Sequence, residues 1–179
     1  MNPRMMVFAI FILFTAGSDL AAQDTAPHSG FWLGGGLGVG LTDEGAGDDA
    51  GPAGYLRMGG TPSDRVLLGG EAIGLSRDVG DATVSQANTT FSVLYYPASP
   101  GGLFAKAGIG FASAVVSTDV AGGTFTSDES GFGLTFGAGY DVRIGRNLYL
   151  TPNLDVLVQT FDEFADSNLF LFTLGIGFH

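Results

Sequence analysis

Apolar and polar positions alternate with a period of two along most of the chain, which is the pattern of β-strands. From Phe132 to Arg143 every even-numbered position is apolar, and the odd-numbered positions carry glycine, threonine, aspartate or arginine. The segments 148–159 and 169–178 repeat this alternation. Successive side chains of a strand point to opposite faces. Each segment is therefore predicted to be a strand with one apolar face and one small or polar face.

Five earlier segments extend the pattern to eight predicted strands. Residues 31–41, 86–95 and 103–111 alternate cleanly. The second and third segments, 52–60 and 65–77, alternate less regularly, and the pattern leaves their facing open.

The connections between the predicted strands alternate in length. Three are short and rich in turn-forming residues, namely 61–64, 97–101 and 145–147. The four between them are longer, namely 42–51, 78–84, 118–129 and 161–167. Outer-membrane barrels combine short periplasmic turns with longer external loops. The sequence therefore predicts an all-β fold, an eight-stranded antiparallel up-and-down transmembrane β-barrel, with both chain ends on the short-turn side.

The direction of the apolar face decides between a membrane barrel and a soluble, lipocalin-like barrel, which would turn that face inward. The polar face consists chiefly of glycine, serine, threonine and asparagine, which coat a surface poorly but fit a narrow lumen. Turning it outward would place Asp141, Asp155 or Lys106 in lipid, which is costly. We therefore expect the apolar face to contact outer-membrane lipid and lipopolysaccharide.

The first residues have the features of a secretory signal. A positive start at Arg4 is followed by an apolar stretch and then by small residues around Ala22. We predict a cleaved signal peptide at 1–22, a periplasmic leader at 23–29 and the barrel at 30–179. A retained N-terminal anchor is the alternative, although the apolar stretch is short for a transmembrane helix.

The composition excludes several classes of function. The formal net charge is −11, with seven basic residues scattered along the chain, so nucleic acid is not an expected partner. The chain has no cysteine, which rules out disulfides and thiolate metal sites.

The glycine-rich opening strand, Gly30–Gly38, and the closing strand, Phe170–Phe178, resemble those of the small outer-membrane barrel superfamily, which includes the OmpA-like transmembrane domain and opacity-type surface proteins. The resemblance implies a monomer in the bacterial outer membrane, whose last strand is recognised by the outer-membrane assembly machinery. In that family the last strand usually ends in an aromatic residue. Here His179 follows Phe178, so the register departs by one residue.

Aromatic residues concentrate near the strand ends on the short-turn side, where tyrosine and tryptophan favour the membrane interface. We predict a periplasmic-side aromatic girdle, with chance placement or core packing as the alternative. Its members are Trp32, Tyr95, Tyr96, Tyr140, Tyr149 and Phe178.

Charged residues on the polar face are the first candidates for function. Buried charges need partners, so a balanced set favours a salt-bridge plug, with a gated ion path, a proton relay or a narrow solute channel as alternatives. The predicted lumen network comprises Arg57, Glu71, Lys106, Asp141, Arg143 and Asp155.

The predicted outer loops carry most of the acidic residues. A solvated rim explains them, and weak divalent-cation binding or an opacity-like adhesive surface is the alternative. The candidates are Asp43, Glu44, Asp48, Asp49, Asp128, Glu129, Asp162 and Glu163.

An enzyme that modifies lipid A would need a general base near a nucleophile. The two histidines, His28 and His179, lie before the first predicted strand and after the last one. We therefore predict no catalytic residues, no cofactor and no metal. The expected function is a structural or surface-interaction role with a lumen filled by side chains.

Overall fold

The computed structural model describes residues 30–43, 50–98, 102–120 and 123–179. The predicted signal peptide and leader, and the predicted loop acids Glu44, Asp48 and Asp49, lie outside these residues. The residues that the structure describes include no helix long and apolar enough to cross a membrane.

Within the described ranges the structure is a single antiparallel sheet. Its nine strands are β1 (Gly30–Thr42), β2 (Ala50–Ser63), β3 (Val66–Val79), β4 (Ala82–Tyr95), β5 (Leu103–Val120), β6 (Gly123–Tyr140), β7 (Val142–Arg143), β8 (Leu148–Thr160) and β9 (Ser167–Phe178).

The ninth strand comes from a break in a predicted one. The strand predicted from Phe132 to Arg143 is interrupted at Asp141, whose backbone N–H donates to the carbonyl of Gly102 at 2.8 Å. The short β7 follows the break and pairs with β8, as residues 132–139 of β6 do. β7 is thus a continuation of β6, and the predicted count of eight long strands is retained.

The strand pairings run in a circle. Consecutive strands pair from β1 to β6, β8 pairs with β9, and two further pairings, β1 with β9 and β6 with β8, join the remaining edges. Each of the eight long strands therefore has a neighbour on both sides. The predicted all-β, antiparallel up-and-down architecture is confirmed.

The apolar face points outward and the polar face inward. Leu37 and Phe111 are 78% and 75% exposed, whereas Asn88 and Thr135 are fully buried. This distribution is the reverse of that in a water-soluble protein and suits a surface in contact with hydrocarbon. The structure also gives the facing of β2 and β3, since both Arg57 and Glu71 point inward.

The two ends of the barrel differ. The turn end carries the β2–β3, β4–β5 and β7–β8 connections together with residues Gly30 and His179, and the loop end carries the β1–β2, β3–β4, β5–β6 and β8–β9 connections. Two predicted outer loops, 78–84 and 118–129, are wrong as loops because most of their residues extend the strands of two hairpins. A left-handed Gly80 (φ 62°) makes the first connection a tight turn.

The second hairpin is long because its sequence favours strand. Val115, Val116, Phe125 and Thr126 are β-branched or aromatic. β5 and β6 have 18 residues each, against 12 to 14 in the other long strands. At the loop end, the β5–β6 hairpin therefore extends beyond the end of β8.

Candidate functional site

The centre of the lumen holds an ion cluster formed by three strands. The ammonium of Lys106 on β5 lies 2.6 Å from Oε1 of Glu71 on β3 and 2.8 Å from Oδ1 of Asp155 on β8. The three side chains are at most 1% exposed. Each projects inward because it occupies the inward phase of its strand's alternation. One buried cation thus compensates two buried carboxylates.

A second cation, Arg57 on β2, is held by aromatic rings and an amide. Its guanidinium lies 4.8 Å from the ring centroid of Tyr55 and 5.1 Å from that of Phe104, which are cation–π distances. It also donates to Oδ1 of Asn153 at 3.4 Å, and Asn153 donates to the hydroxyl of Tyr55 at 3.2 Å. The rings and the amide fix the guanidinium in the lumen.

Tyr55 of β2 packs along the inner wall against glycines of the neighbouring strands β1 and β9. A Cβ added at Gly36 would lie 2.6 Å from Cε1 of Tyr55, and one added at Gly175 would collide with the tyrosine hydroxyl. Glycine is therefore required at both positions for this ring to lie flat between β1, β2 and β9.

At the turn end, Asp141 collects three inward-facing groups. It accepts hydrogen bonds from the hydroxyls of Tyr96, at 2.7 Å, and Thr151, at 2.6 Å. Nε2 of His179 lies 3.6 Å from the same carboxylate, and the histidine ring is tilted by 42° against the ring of Tyr149, with 4.1 Å between the ring centroids. A cavity of about 10 Å³ remains beside these groups, which is at the lower limit for holding one water molecule.

Towards the loop end, amide and hydroxyl side chains form a chain across the lumen. Gln86 donates to Ser167 at 3.0 Å, Ser167 donates to Gln159 at 3.0 Å, and Gln159 donates to Asn88 at 2.8 Å. Asn88 in turn donates to the carbonyl of Leu134 at 2.8 Å. All four side chains of this polar chain are buried, so this layer is linked by hydrogen bonds from wall to wall.

The β8–β9 loop closes over the β5–β6 side of the loop end. Its Phe161 is buried with Ala112 and Ala114 of β5. The carboxylate of Glu129 accepts the backbone N–H groups of residues 162, 163 and 164 at 2.9, 2.7 and 2.6 Å. Charge-assisted bonds from three consecutive amides are strong, so Glu129 clamps this loop to the wall.

The structure places the six predicted lumen charges in two environments. Arg57, Glu71, Lys106, Asp141 and Asp155 are buried inside the barrel. Arg143 is half-buried at the turn end, where its guanidinium donates to the carbonyls of Gly145 and Arg146 at 3.0 Å. Its strand breaks at Asp141, so the alternation that predicted its facing is interrupted there.

Sequence reasoning did not single out the polar and aromatic side chains that fill the lumen together with these charges. Their signal was their place on the inward face of the strands. They are Tyr55, Gln86, Asn88, Ser92, Phe104, Thr151, Asn153 and Gln159.

Half of the predicted aromatic girdle is wrong. Trp32, Tyr96 and Tyr149 are 1–3% exposed and point into the turn end of the lumen. Strand alternation explains this, because all three lie on the polar phase, where the barrel needs large side chains to fill its end. Tyr95 and Phe178 are exposed on the outer wall, and Tyr140 is half-buried.

The described loop acids have separate roles. Asp43 accepts hydrogen bonds from the backbone N–H of Asn168 at 2.9 Å and from its side-chain amide at 2.5 Å. The bonds from Asn168 hold the pKa of Asp43 below its ordinary value. Asp128, Asp162 and Glu163 are exposed. Over the described ranges, no group of three acidic or histidine side chains converges as a metal site would require.

A family model for an outer membrane protein beta-barrel domain matches residues 9–178. The fold is similar to Ail, the attachment invasion locus protein of Yersinia pestis, with a TM-score of 0.60 and 11% identity over 84% of this chain and 99% of that one. It is also similar to Neisserial surface protein A, with a TM-score of 0.62 and 12% identity over 84% of this chain and 97% of that one. The comparison with curated proteins gives no match. At these identities the solved structures show the fold alone.

Proposed function

Because the chain belongs to the outer membrane protein beta-barrel domain family, we propose that it is a closed-lumen barrel whose role is structural or lies in interactions at its loop end. The predicted resemblance to small outer-membrane barrels is confirmed by that match and by the similar solved structures. Membership of this family implies the bacterial outer membrane as the location of the protein.

The filled lumen is the observation that carries the proposal. The lumen contains, in succession, the turn-end cluster around Asp141, the ion cluster around Lys106 and the polar chain from Gln86 to Asn88. An ion crossing the barrel would have to displace each set of bonds. This supports a plug over the narrow channel that is the alternative.

The outer wall supports residence in lipid. Large apolar side chains such as Leu37, Ile109 and Phe111 are more than half exposed on it, as a lipid-facing surface requires. Phe178 points outward on β9, where the assembly machinery could read it during insertion. Export by the signal peptide at 1–22, contact with lipopolysaccharide and a monomeric state belong to the same proposal.

A surface-interaction role is favoured over a purely structural one by the loop end. The β5–β6 hairpin extends past the end of β8, and the residues on it and on the neighbouring loop include several exposed acids. Spanning the membrane does not require this extension. An enzymatic role has little support, since His179 lies at the turn end with Asp141 and Tyr149.

Two measurements on the purified protein test the proposal. On a detergent gel, we expect the unboiled protein to migrate faster than the boiled protein, because a closed barrel stays compact. In planar bilayers, we expect no large, steady conductance. A stable open pore would contradict the plugged lumen, and absence of a mobility shift would contradict the closed barrel.

Unaltered lipid A mass spectra after overexpression would count against the enzymatic alternative.

A further inference from the structure

The surface charges of the barrel are divided between its two ends. Among the described residues, the exposed or half-buried charged side chains at the turn end are Arg65, Arg143, Arg146 and Asp64. The exposed acids at the loop end are Asp43, Asp78, Asp81, Asp128, Asp162, Glu163 and Asp166. The base described at the loop end, Arg77, is half-buried. The turn end therefore carries an excess of positive charge, and the loop end carries an excess of negative charge.

Arg146 lies in a turn whose backbone is ordered by hydrogen bonds. The guanidinium of Arg143 donates to the carbonyls of Gly145 and Arg146 at 3.0 Å. The backbone N–H groups of Ile144 and Gly145 donate to the carbonyl of Leu148 at 2.9 and 3.0 Å. The side chain of Arg146 is exposed on this turn. Because the backbone is already ordered, less conformational entropy is lost when the side chain binds an anion.

Arg65 lies in a second ordered turn, between β2 and β3. Its carbonyl accepts the backbone N–H of Tyr96 at 2.8 Å, which ties the turn to the end of β4. Its side chain is exposed. In the circle of pairings, four long strands separate this turn from the β7–β8 turn in either direction. Arg65 and Arg146 therefore lie on opposite sides of the turn end.

Both arginines lie directly beyond the apolar outer wall. The residue that follows Arg65 pairs with Tyr95, which is exposed on that wall. Two positions after Arg146, Leu148 pairs with Phe178, and both side chains are exposed. A strand advances about 3.3 Å per residue, so these arginines lie within about two residues of lipid-facing side chains. This is the depth of lipid headgroups, where tyrosine is also favoured.

We propose that the turn end binds the phosphate headgroups of anionic phospholipids, with Arg65 and Arg146 as the two contacts. A guanidinium forms paired hydrogen bonds to phosphate oxygens, and an anionic leaflet attracts basic side chains close to its surface. The acids of the loop end repel the same headgroups. Two contacts on opposite sides would hold the barrel axis upright in the membrane. The inference goes beyond the proposed function, which places interactions at the loop end, and it rests on the barrel residing in lipid.

Competition between two lipids tests this proposal. The barrel in neutral detergent is mixed with equal amounts of phosphatidylglycerol, which is anionic, and phosphatidylcholine, which is zwitterionic. Native mass spectrometry counts the lipid that stays bound. We expect the barrel to retain phosphatidylglycerol preferentially. Arg65→Gln/Arg146→Gln should reduce the preference about tenfold or more, since each arginine contributes about fivefold. A preference that is absent from the original chain, or unchanged in the double variant, would overturn the proposal.

Further variants separate local contact from net charge. Arg65→Lys/Arg146→Lys keeps both positive charges and should keep most of the preference for phosphatidylglycerol. Arg146→Gln and Ala165→Glu each lower the net charge by one, the first at the turn end and the second at an exposed position of the loop end. Only Arg146→Gln should weaken the preference. An equal loss in Ala165→Glu would overturn the proposal, because the net charge of the protein would then explain the binding.

A fluorescent label locates the bound lipid, since the chain has no cysteine of its own. The label is attached through Asn147→Cys at the turn end or through Ala165→Cys at the loop end, and both positions are exposed. The labelled barrel is placed in phosphatidylcholine vesicles that contain a small fraction of spin-labelled lipid as a quencher. We expect spin-labelled phosphatidylglycerol to quench more than spin-labelled phosphatidylcholine at the turn end only.

Two outcomes of the quenching experiment would overturn the proposal. One is equal quenching by the two lipids at the turn end, and the other is a preference for phosphatidylglycerol at the loop end. The gel mobility shift of each variant reports on the closed barrel itself. Failure of lipid binding is therefore distinguishable from failure of the proposed function.

Discussion

Among single residues, Lys106 has the greatest effect on the electrostatics of the lumen, because it contacts both Glu71 and Asp155. Replacing it by methionine would leave the two buried carboxylates without the ammonium that contacts both. Removing one partner of a buried ion pair costs about 3–5 kcal/mol. We expect Lys106→Met to lower the free energy of unfolding by an amount of this order, measured by urea titration in lipid vesicles.

The double variant Lys106→Met/Glu71→Gln is the control for that experiment. It removes one carboxylate charge together with the ammonium, so it should be more stable than Lys106→Met alone. If both variants were as stable as the original chain, the ion cluster would have no part in holding the barrel together.

Asp43 predicts a small pH dependence of stability at the loop end. Its pKa is lowered in the folded state, chiefly by the side-chain hydrogen bond from Asn168. A carboxyl group with a lowered folded pKa adds stability above its unfolded pKa, and this contribution is lost as the pH falls through the folded value. The group is exposed, so the contribution is at most about 1 kcal/mol.

The measurement compares the original chain with Asp43→Ala by urea titration. The original chain should be the more stable at about pH 7, and the difference should shrink as the pH falls through the lowered folded pKa of Asp43. A difference independent of pH would mean that the carboxylate charge does not matter for the contact with Asn168.

The burial of single residues follows from alternation where the strand is continuous. Lys106 and Asp155 lie on clean alternating segments, and their inward facing could be predicted from the sequence. Trp32 and Tyr149 lie on the same inward phase, yet their residue type favoured an interface position in the prediction. In the structure both side chains fill the end of the lumen. In these two cases the position in the strand alternation determined the facing of the side chain, and the preference of the residue type did not.

At the scale of elements, the pairing partners of a strand decide where it ends. Thr118–Glu129 contains glycines and acids typical of a loop, and the sequence predicted a loop there. In the structure most of this segment pairs across the β5–β6 hairpin. Phe125 and Thr126 favour strand, but the glycines and acids outweighed them in the prediction, because local composition does not show the hydrogen bonds that each half gains from the other half across a turn.

The clamp on the β8–β9 loop leads to a prediction about Glu129. In Glu129→Gln, the negative charge is lost and one acceptor oxygen is replaced by an amide donor that faces backbone N–H groups. Hydrogen bonds to a charged group contribute about 1.5–3 kcal/mol. We expect the loop to open about tenfold more often or more, measured by amide hydrogen exchange at residues 162–164.

Asp128→Asn is the matched control for the clamp. It neutralises the neighbouring carboxylate, which is exposed and forms no part of the clamp described above. It should leave the exchange of residues 162–164 unchanged. Equal exchange in both variants and the original chain would show that Phe161 and its neighbours hold the loop without Glu129.

At the scale of the whole molecule, the filled lumen and the apolar outer wall depend on the same circle of pairings. The pairing that closes it, β1 with β9, joins the first and last strands of the chain, whereas β6 and its continuation β7 pair with β8 as one more hairpin. The even number of long strands could be predicted from the sequence. Which residues meet between β1 and β9 could not, because no turn links the two strands and their register is set by side chains from opposite ends of the chain.

The β6–β8 junction can be tested by cross-linking, since the chain has no cysteine of its own. Phe136 on β6 pairs directly with Val156 on β8. We expect Phe136→Cys/Val156→Cys to form a disulfide on oxidation of the folded protein, because directly opposed residues lie about 4.5–5.5 Å apart.

In Phe136→Cys/Leu37→Cys, the second cysteine lies on β1, which is separated from β6 by several strands. That control should give no intramolecular disulfide. If the first pair failed to cross-link in a protein that still shows the gel mobility shift, β6 would have another neighbour. The inward register that brings Lys106 to Asp155 would then have to be revised with it.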